Sequence, residues 1–292
     1  MRTVTIGLSP CPNDTFIFHA LLEGIVPVEG VRLEPVFEDV EALNRLALDD
    51  RLDVTKISFH AYGHLRERWT LLDSGSALGR RCGPLVVVRP EARDRSLAEA
   101  RVGIPGELTT AALLLRLWDP TLDPRRLLVL TFDRILAAVA SGELDAGLII
   151  HESRFTYARH GLVERVDLGE WWESSHARPI PLGGIIANRR LGPALIRAID
   201  AALRESVICA RRRPDLSREF VRSHAQELED DVIDSHIALY VNDFTVSLGA
   251  EGRDAVSHLL AEAERHGIIP VKGGPRAGAA ASRDPQDPRP QG

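Results

Sequence analysis

The stretch that decides the fold is "TVTIGLSPCPNDTFIFHALLEG", residues 3–24. Its first part, "TVTIGLS" (3–9), alternates and is β-branched, which reads as a strand. Pro10 and Pro12 then stiffen a turn around Cys11. Asn13 or Asp14 can cap a helix from about Thr15 to Leu22, which Gly24 closes. Strand, rigid turn and helix in immediate succession open an α/β unit.

Working outward, the same grammar repeats. "VRLEPVFE" (31–38) reads as a strand and "DVEALNRLALDD" (39–50) as a helix by its apolar spacing. "LDVTKIS" (52–58) is a short strand, "FHAYGHLRE" (59–67) a helical turn, and "GPLVVVRP" (83–90) a strand ending in proline. A second block follows. It reads strand "ARVGIPG" (100–106), helix "TTAALLLRLW" (109–118), strand "LLVLTF" (127–132), Asp133-capped helix (133–143) and strand "DAGLIIHE" (145–152). "PLGGIIANRR" (181–190) returns to the first block as a strand. Helices over about 192–212, 215–225, 229–240 and 251–266 complete the pattern.

Strands alternating with helices predict parallel α/β architecture in two lobes around a central ligand cleft. The crossovers fall near residues 89 and 185. One lobe is then 1–88 with 186–272, and the other is 89–185. The remainder, 273–292, is Gly, Pro, Ala and Arg without pattern and is expected to be disordered.

Composition excludes several function classes. The chain has 292 residues, 44% hydrophobic and 27% charged, with net charge −6, which argues against a general nucleic-acid binder. Cys11, Cys82 and Cys209 have neither disulfide-framework nor metal-ligand spacing. No window approaches the roughly 18 apolar residues of a membrane span, and no secretory leader is legible, so a cytoplasmic location is expected. Only two of the 36 basic residues are lysines, Lys56 and Lys272. A lysine in so arginine-rich a chain suggests a place where a guanidinium does not fit.

In an open parallel sheet, ligands lie beyond the carboxyl ends of the strands, and this selects four places. Ser9 to Thr15, including Asn13, offers a helix start that can hold an anion, or simply a well-capped helix. Lys56, Ile57 and Ser58 end a strand with a cation and a hydroxyl suited to a carboxylate, although a solvated lysine is the plain alternative. Thr109 and Thr110 follow the Gly106 turn at a helix start, a second anion-ready spot or an ordinary cap. His151 follows the apolar run "AGLII", which places an imidazole at the cleft. Its ordinary titration near neutrality suits proton transfer, or it is one histidine among ten that happens to end a strand. His60 and His64 lack the glutamate of a zinc-protease motif, and no phosphate-loop or nucleophile-elbow pattern occurs.

The segments "SPCPNDTFIFHAL", "LEPVFEDVEALNRLAL", "TKIS", "GPLVV", "DRILAAVASGELDAGLIIHESRFTY" and "VDLGEWWE" closely resemble the 1,4-dihydroxy-6-naphthoate synthase family of the futalosine route to menaquinone. The resemblance runs from about residue 4 to about 268. It implies a periplasmic-binding-protein-like (type II) fold. It also implies a lyase converting cyclic dehypoxanthinylfutalosine to 1,4-dihydroxy-6-naphthoate with release of a three-carbon fragment. No metal or organic cofactor is implied. The histidine of "IIHE", His151, corresponds to the proposed proton acceptor, and Lys56, Ile57, Ser58, Thr109 and Thr110 correspond to ligand contacts. Glu107 and Leu108, just before the threonine pair, depart from the expected polarity. The expected partner is a small-molecule carboxylate, with no nucleic acid and no membrane, acting on a monomer or homodimer. A chorismate dehydratase-like enzyme of the same pathway and a non-catalytic small-anion-binding protein are the competing readings.

Overall fold

The computed structural model describes residues 1–151, 153–225 and 229–273. The expected tail is outside them, apart from Gly273. The first block forms β1 (Arg2–Leu8), α1 (Pro12–Leu22), β2 (Val31–Phe37), α2 (Val40–Leu48), β3 (Val54–Ser58) and α3 (Phe59–Leu65), then the short β4 (Trp69–Leu71) and β5 (Ala77–Gly79). The second block forms β6 (Leu85–Val88), β7 (Val102–Ile104), α4 (Thr110–Trp118), β8 (Leu127–Val129), α5 (Phe132–Ser141) and β9 (Ala146–Ile149). It continues with α6 (Ser153–Thr156), β10 (Val163–Asp167) and α7 (Leu168–His176). The chain returns through β11 (Ile180–Asn188) and ends in α8 (Pro193–Arg212), α9 (Arg218–His224), α10 (Asp230–Tyr240), α11 (Asp243–Val246) and α12 (Gly249–Arg265).

Two sheets result, one per lobe. The first has the order β2-β1-β3-β11-β4, with β5 also on β11; the second has the order β10-β6-β9-β7-β8. Pro35 sits in β2, an edge strand, which is where a sheet tolerates a proline. The first core joins β1, α1 and α8 through residues such as Ile6, Phe18 and Leu203. The second joins Val86, Val102 and Leu148 to Trp172 of α7 and to Leu259 of α12.

The sheets are mixed rather than purely parallel. β1, β2 and β3 run parallel, as do β7, β8 and β9, but β11 is antiparallel to β3 and β6 is antiparallel to β9. The reason is the hinge. β6 and β11 each enter their lobe from the cleft, so they oppose the strands that end there.

The crossovers also move. Val86–Val88 lie in the second sheet and Gly184–Asn188 in the first, so they are not neighbours. The adjacent hinge strands are β5 and β11, with Gly79 opposite Ile180 and Leu78 opposite Pro181. The chain therefore crosses at 80–84 and at 177–179, not near 89 and 185. Two helix starts differ as well. α1 begins at Pro12, behind Cys11 at its N-cap, because proline at the first helical position gives up an N–H that has no helical acceptor. α5 begins after Thr131, so Asp133 lies inside its first turn and is not the cap.

Gly83, in the first crossover, lies against the backbone of Gly169 at the start of α7. A Cβ added there would stand 2.2 Å from the Gly169 nitrogen. Gly83→Ala should therefore force the crossover and α7 apart and destabilise the protein by about 1–3 kcal/mol, the scale of overpacking. Urea unfolding measures this, and an unchanged midpoint would show that the two backbones separate freely.

Candidate active site

The cleft between the lobes is lined from the first lobe by Ser9, Asn13, Asp14, Lys56 and Ser58. His151, Thr109 and Thr110 line it from the second, and His236 and Tyr240 from α10. The sequence-selected residues are thus brought together, Ile57 included.

The rigid turn does something other than present a free hydroxyl and amides. Asp14, third in α1, is 1% exposed, and Lys56 in the middle of β3 is 6% exposed. Lys56 Nζ stands 2.8 Å from Asp14 Oδ1. Asp14 Oδ2 accepts from Ser9 Oγ at 2.7 Å and from the Ser9 N–H at 3.3 Å, and Oδ1 accepts from Asn13 Nδ2 at 2.9 Å. Four donors therefore converge on one carboxylate, which is its full capacity. The helix start already holds its anion, and that anion is the protein's own.

Asn13 passes this order onward. Its amide group faces Asp14, so its carbonyl oxygen faces His236, whose Nε2 lies 2.9 Å away. Nε2 must then be the protonated nitrogen of His236, and Nδ1, buried and without a partner among the described residues, keeps its lone pair. Burial holds this imidazole well below its ordinary range, and the nearby His151 and Lys56 add to the effect. His236 is therefore neutral at physiological pH.

His151 is not on the strand. β9 stops at Ile149, and His151 occupies the turn beyond it with φ 55°. A left-handed non-glycine residue costs of order 1 kcal/mol. The ring reaches across the cleft, with Nδ1 3.5 Å from Cys11 Sγ of the first lobe. Phe132 packs at its side with centroids 5.3 Å apart, and His236 lies parallel at 6.0 Å. The neighbouring Glu152 is outside the described residues.

The threonine pair is committed to structure as well as lining. Thr109 caps α4, donating to the Gly106 carbonyl and accepting from the Ala112 N–H. Thr110 donates to the Leu182 carbonyl of β11 and accepts from the His60 N–H. Ser58 differs. Asn44 donates to its hydroxyl oxygen and accepts its backbone N–H, and the hydroxyl proton has no acceptor among the described residues. Cys82 lines the same cleft, but burial pushes its thiol up to about 12, so it stays protonated.

Residues 4–265 match the profile of a family described as "Menaquinone biosynthesis". The chain belongs to the menaquinone-biosynthesis family. A relative in Thermus thermophilus, named 1,4-dihydroxy-6-naphtoate synthase, is 52% identical, with 92% of this chain and 96% of that one covered. A relative of the same name in Streptomyces coelicolor is 46% identical, with 93% and 96% covered. The alkanesulfonate-binding protein SsuA of Xanthomonas axonopodis pv. citri, bound to MOPS, superposes with a TM-score of 0.68 at 16% identity over 93% of this chain and 96% of its own. That likeness shows the periplasmic-binding-protein-like fold alone. Membership of the menaquinone-biosynthesis family and the fold both bear out the resemblance read from the sequence motifs.

Asp14, Cys11 and His236 escaped the sequence reading. Asp14 was visible only as a helix cap, and Cys11 only as an isolated thiol. His236 lies mid-helix in "DVIDSHIALY", where nothing local marks it.

Two predictions follow from these contacts. Lys56→Met leaves the Asp14 carboxylate buried without its cation, so it should destabilise the fold by about 3–5 kcal/mol, beyond any effect on KM. Adding Asp14→Asn should recover part of that loss; urea unfolding of both variants checks it, and equal instability of single and double variants would count against the pair. The second concerns His60, whose Nδ1 donates to the Thr109 carbonyl across the lobes at 3.2 Å. Burial lowers His60 from 6.5 to about 4. The unfolded chain then binds a proton that the fold rejects, so stability is full above pH 6.5 and falls as pH drops toward 4. The loss should approach about 3 kcal/mol from this group. His60→Gln should flatten that part of the stability–pH curve, and an unaltered slope would exclude His60 as its source.

Proposed function

We propose that the protein is a 1,4-dihydroxy-6-naphthoate synthase: a carbon–carbon lyase acting on cyclic dehypoxanthinylfutalosine and releasing dihydroxyacetone. The observation that carries this reading is the His151 imidazole, held across the cleft from the buried Lys56–Asp14 pair. It is supported by 52% identity to a relative that bears the synthase name.

In this reading, His151 is the general base. A neutral imidazole takes a proton from a substrate hydroxyl or carbon acid. The electron pair left behind then collapses toward the aromatic ring and expels the three-carbon piece. Forming the ring drives the cleavage, so the step needs a base and a closed pocket, and we assign it no metal or organic cofactor. Lys56 gives one of its three N–H groups to Asp14, which leaves two for the substrate carboxylate, with the Ser58 hydroxyl beside them. Ser9, Asn13, Ile57, Thr109 and Thr110 hold the shape of the walls. The protein acts on this small carboxylate in the cytoplasm, as a monomer or homodimer, without a nucleic-acid or membrane partner. No disulfide joins Cys11, Cys82 and Cys209, which suits that compartment, and among the described residues no helix is long and apolar enough to cross a membrane.

Purified protein should convert cyclic dehypoxanthinylfutalosine to the naphthoate chromophore and leave chorismate untouched. Consumption of chorismate would replace this reading with that of a dehydratase. His151→Asn keeps the size of the side chain but removes the basic nitrogen. It should lower kcat by about 10²–10⁴-fold, the usual contribution of a general base, with product affinity little changed. Retention of more than about a tenth of wild-type kcat would move the base elsewhere.

A further inference from the structure

Away from the cleft, three side chains converge where α7 meets α12. His176 ends α7, just before the second crossover, and His258 and Glu262 lie one turn apart on α12. His176 Nδ1 and His258 Nε2 are 3.0 Å apart, and His258 Nε2 is 3.7 Å from Glu262 Oε1. All three ligand atoms fall within 4.8 Å of one another. None of these residues lines the cleft.

We propose that His176, His258 and Glu262 form a binding site for a divalent cation of the zinc class, which fastens the end of α7 to α12. Tetrahedral zinc with nitrogen at about 2.0–2.1 Å needs ligand atoms roughly 3.3–3.4 Å apart. The two observed separations bracket that edge, so the site closes on the ion with movements of a few tenths of an ångström at those two contacts. Two imidazoles and one carboxylate suit zinc better than magnesium or calcium, which prefer oxygen.

The surroundings support ligation. One ring must be donating to the other in the 3.0 Å contact. On binding, that ring moves its proton to its outer nitrogen, so no net proton is released. The indole of Trp172, fully buried, packs on His176 with centroids 4.0 Å apart and fixes the ring's plane. The charged groups facing the site are Arg178, paired with Asp254, and Arg265, which contacts Glu262 Oε1. Arg265 competes with the ion for that oxygen, but its side chain is 64% exposed and can swing into solvent. α7 belongs to the second lobe, whereas α12 packs on both β11 and α4. The ion would therefore hold the second crossover in place.

The test uses the whole protein freed of metal by chelator and titrated with Zn²⁺ alone. One zinc per chain should be retained after dialysis, and the melting temperature should rise by roughly 5 °C at a hundredfold excess over the dissociation constant. Co²⁺ in its place should give the intense visible bands of a tetrahedral site. His258→Gln and Glu262→Gln should each abolish stoichiometric retention. Arg265→Gln touches an exposed side chain and so leaves the fold intact; it should bind zinc at least as tightly as wild type. The proposal is overturned if wild type retains no zinc, if His258→Gln retains as much as wild type, or if Arg265→Gln weakens binding. Naphthoate synthesis is not the readout, so the result stands apart from the proposed reaction.

Discussion

The buried ion pair between Lys56 and Asp14 is the constraint on which the cleft depends. Removing a carboxylate and an ammonium from water is expensive, and their attraction repays it only when every remaining lone pair is met. Here each one is. Ser9 and Asn13 supply the other donors, so the turn through Pro10 and Pro12 cannot shift without exposing a charge. The same requirement explains the lysine. The chain places arginine at 34 of its 36 basic positions, but a planar fork of five donors cannot settle against one oxygen of a carboxylate already full on its other side. A compact ammonium can, and it keeps two donors to spare.

From Asp14 the order spreads outward through hydrogen-bond direction. A carboxylate only accepts, so Asn13 must turn its amide group to it and its oxygen away. That oxygen then dictates which nitrogen of His236 carries the proton. A tautomer on α10 is thus set by an acid at the start of α1, far away in sequence but adjacent in space. The lobes are tied by contacts of the same directional kind. Glu41 of α2 accepts the Leu108 N–H, His60 holds the Thr109 carbonyl, and Thr110 reaches Leu182. Gly106 belongs to this set, because a Cβ there would stand 2.4 Å from Glu41 Oε2. Glu107 and Leu108, which looked out of place in a ligand pocket, are instead part of a seam between lobes, with Arg45 paired to Glu107.

Much of this was legible in the sequence wherever periodicity and caps report on local structure. β1, α2 and α4 were readable because their alternation or helical spacing is long enough to register, and Thr109 was readable as a cap. The short strands β4, β5 and β10 were not. Three to five residues carry no period, and β5 exists because β11 offers an edge. Strand direction at the hinge was also hidden, since a strand reads the same whether it enters or leaves the cleft. Among the residues that line the cleft, the rule that ligands lie beyond strand ends picked out Lys56, Ser58 and His151. It could not find His236, which comes to the cleft from a helix, nor Cys11, whose partner is 140 residues away.

His151 shows how fold and chemistry are coupled. Its backbone belongs to the second lobe and is held in a left-handed turn. Its sulfur neighbour, Cys11, and the parallel ring of His236 belong to elements packed on the first. Parting the lobes would separate the imidazole from both while leaving Lys56, Asp14 and Ser9 undisturbed, since their bonds lie within one lobe. An open cleft would therefore keep the buried Lys56–Asp14 pair but lose the contacts that hold the His151 ring. In the proposed reaction, substrate would meet Lys56 before the His151 ring is in place. Energy stored in the turn at His151 is small beside the contacts that closure makes. If His151 is the proposed base, closure rather than the histidine alone defines the competent state.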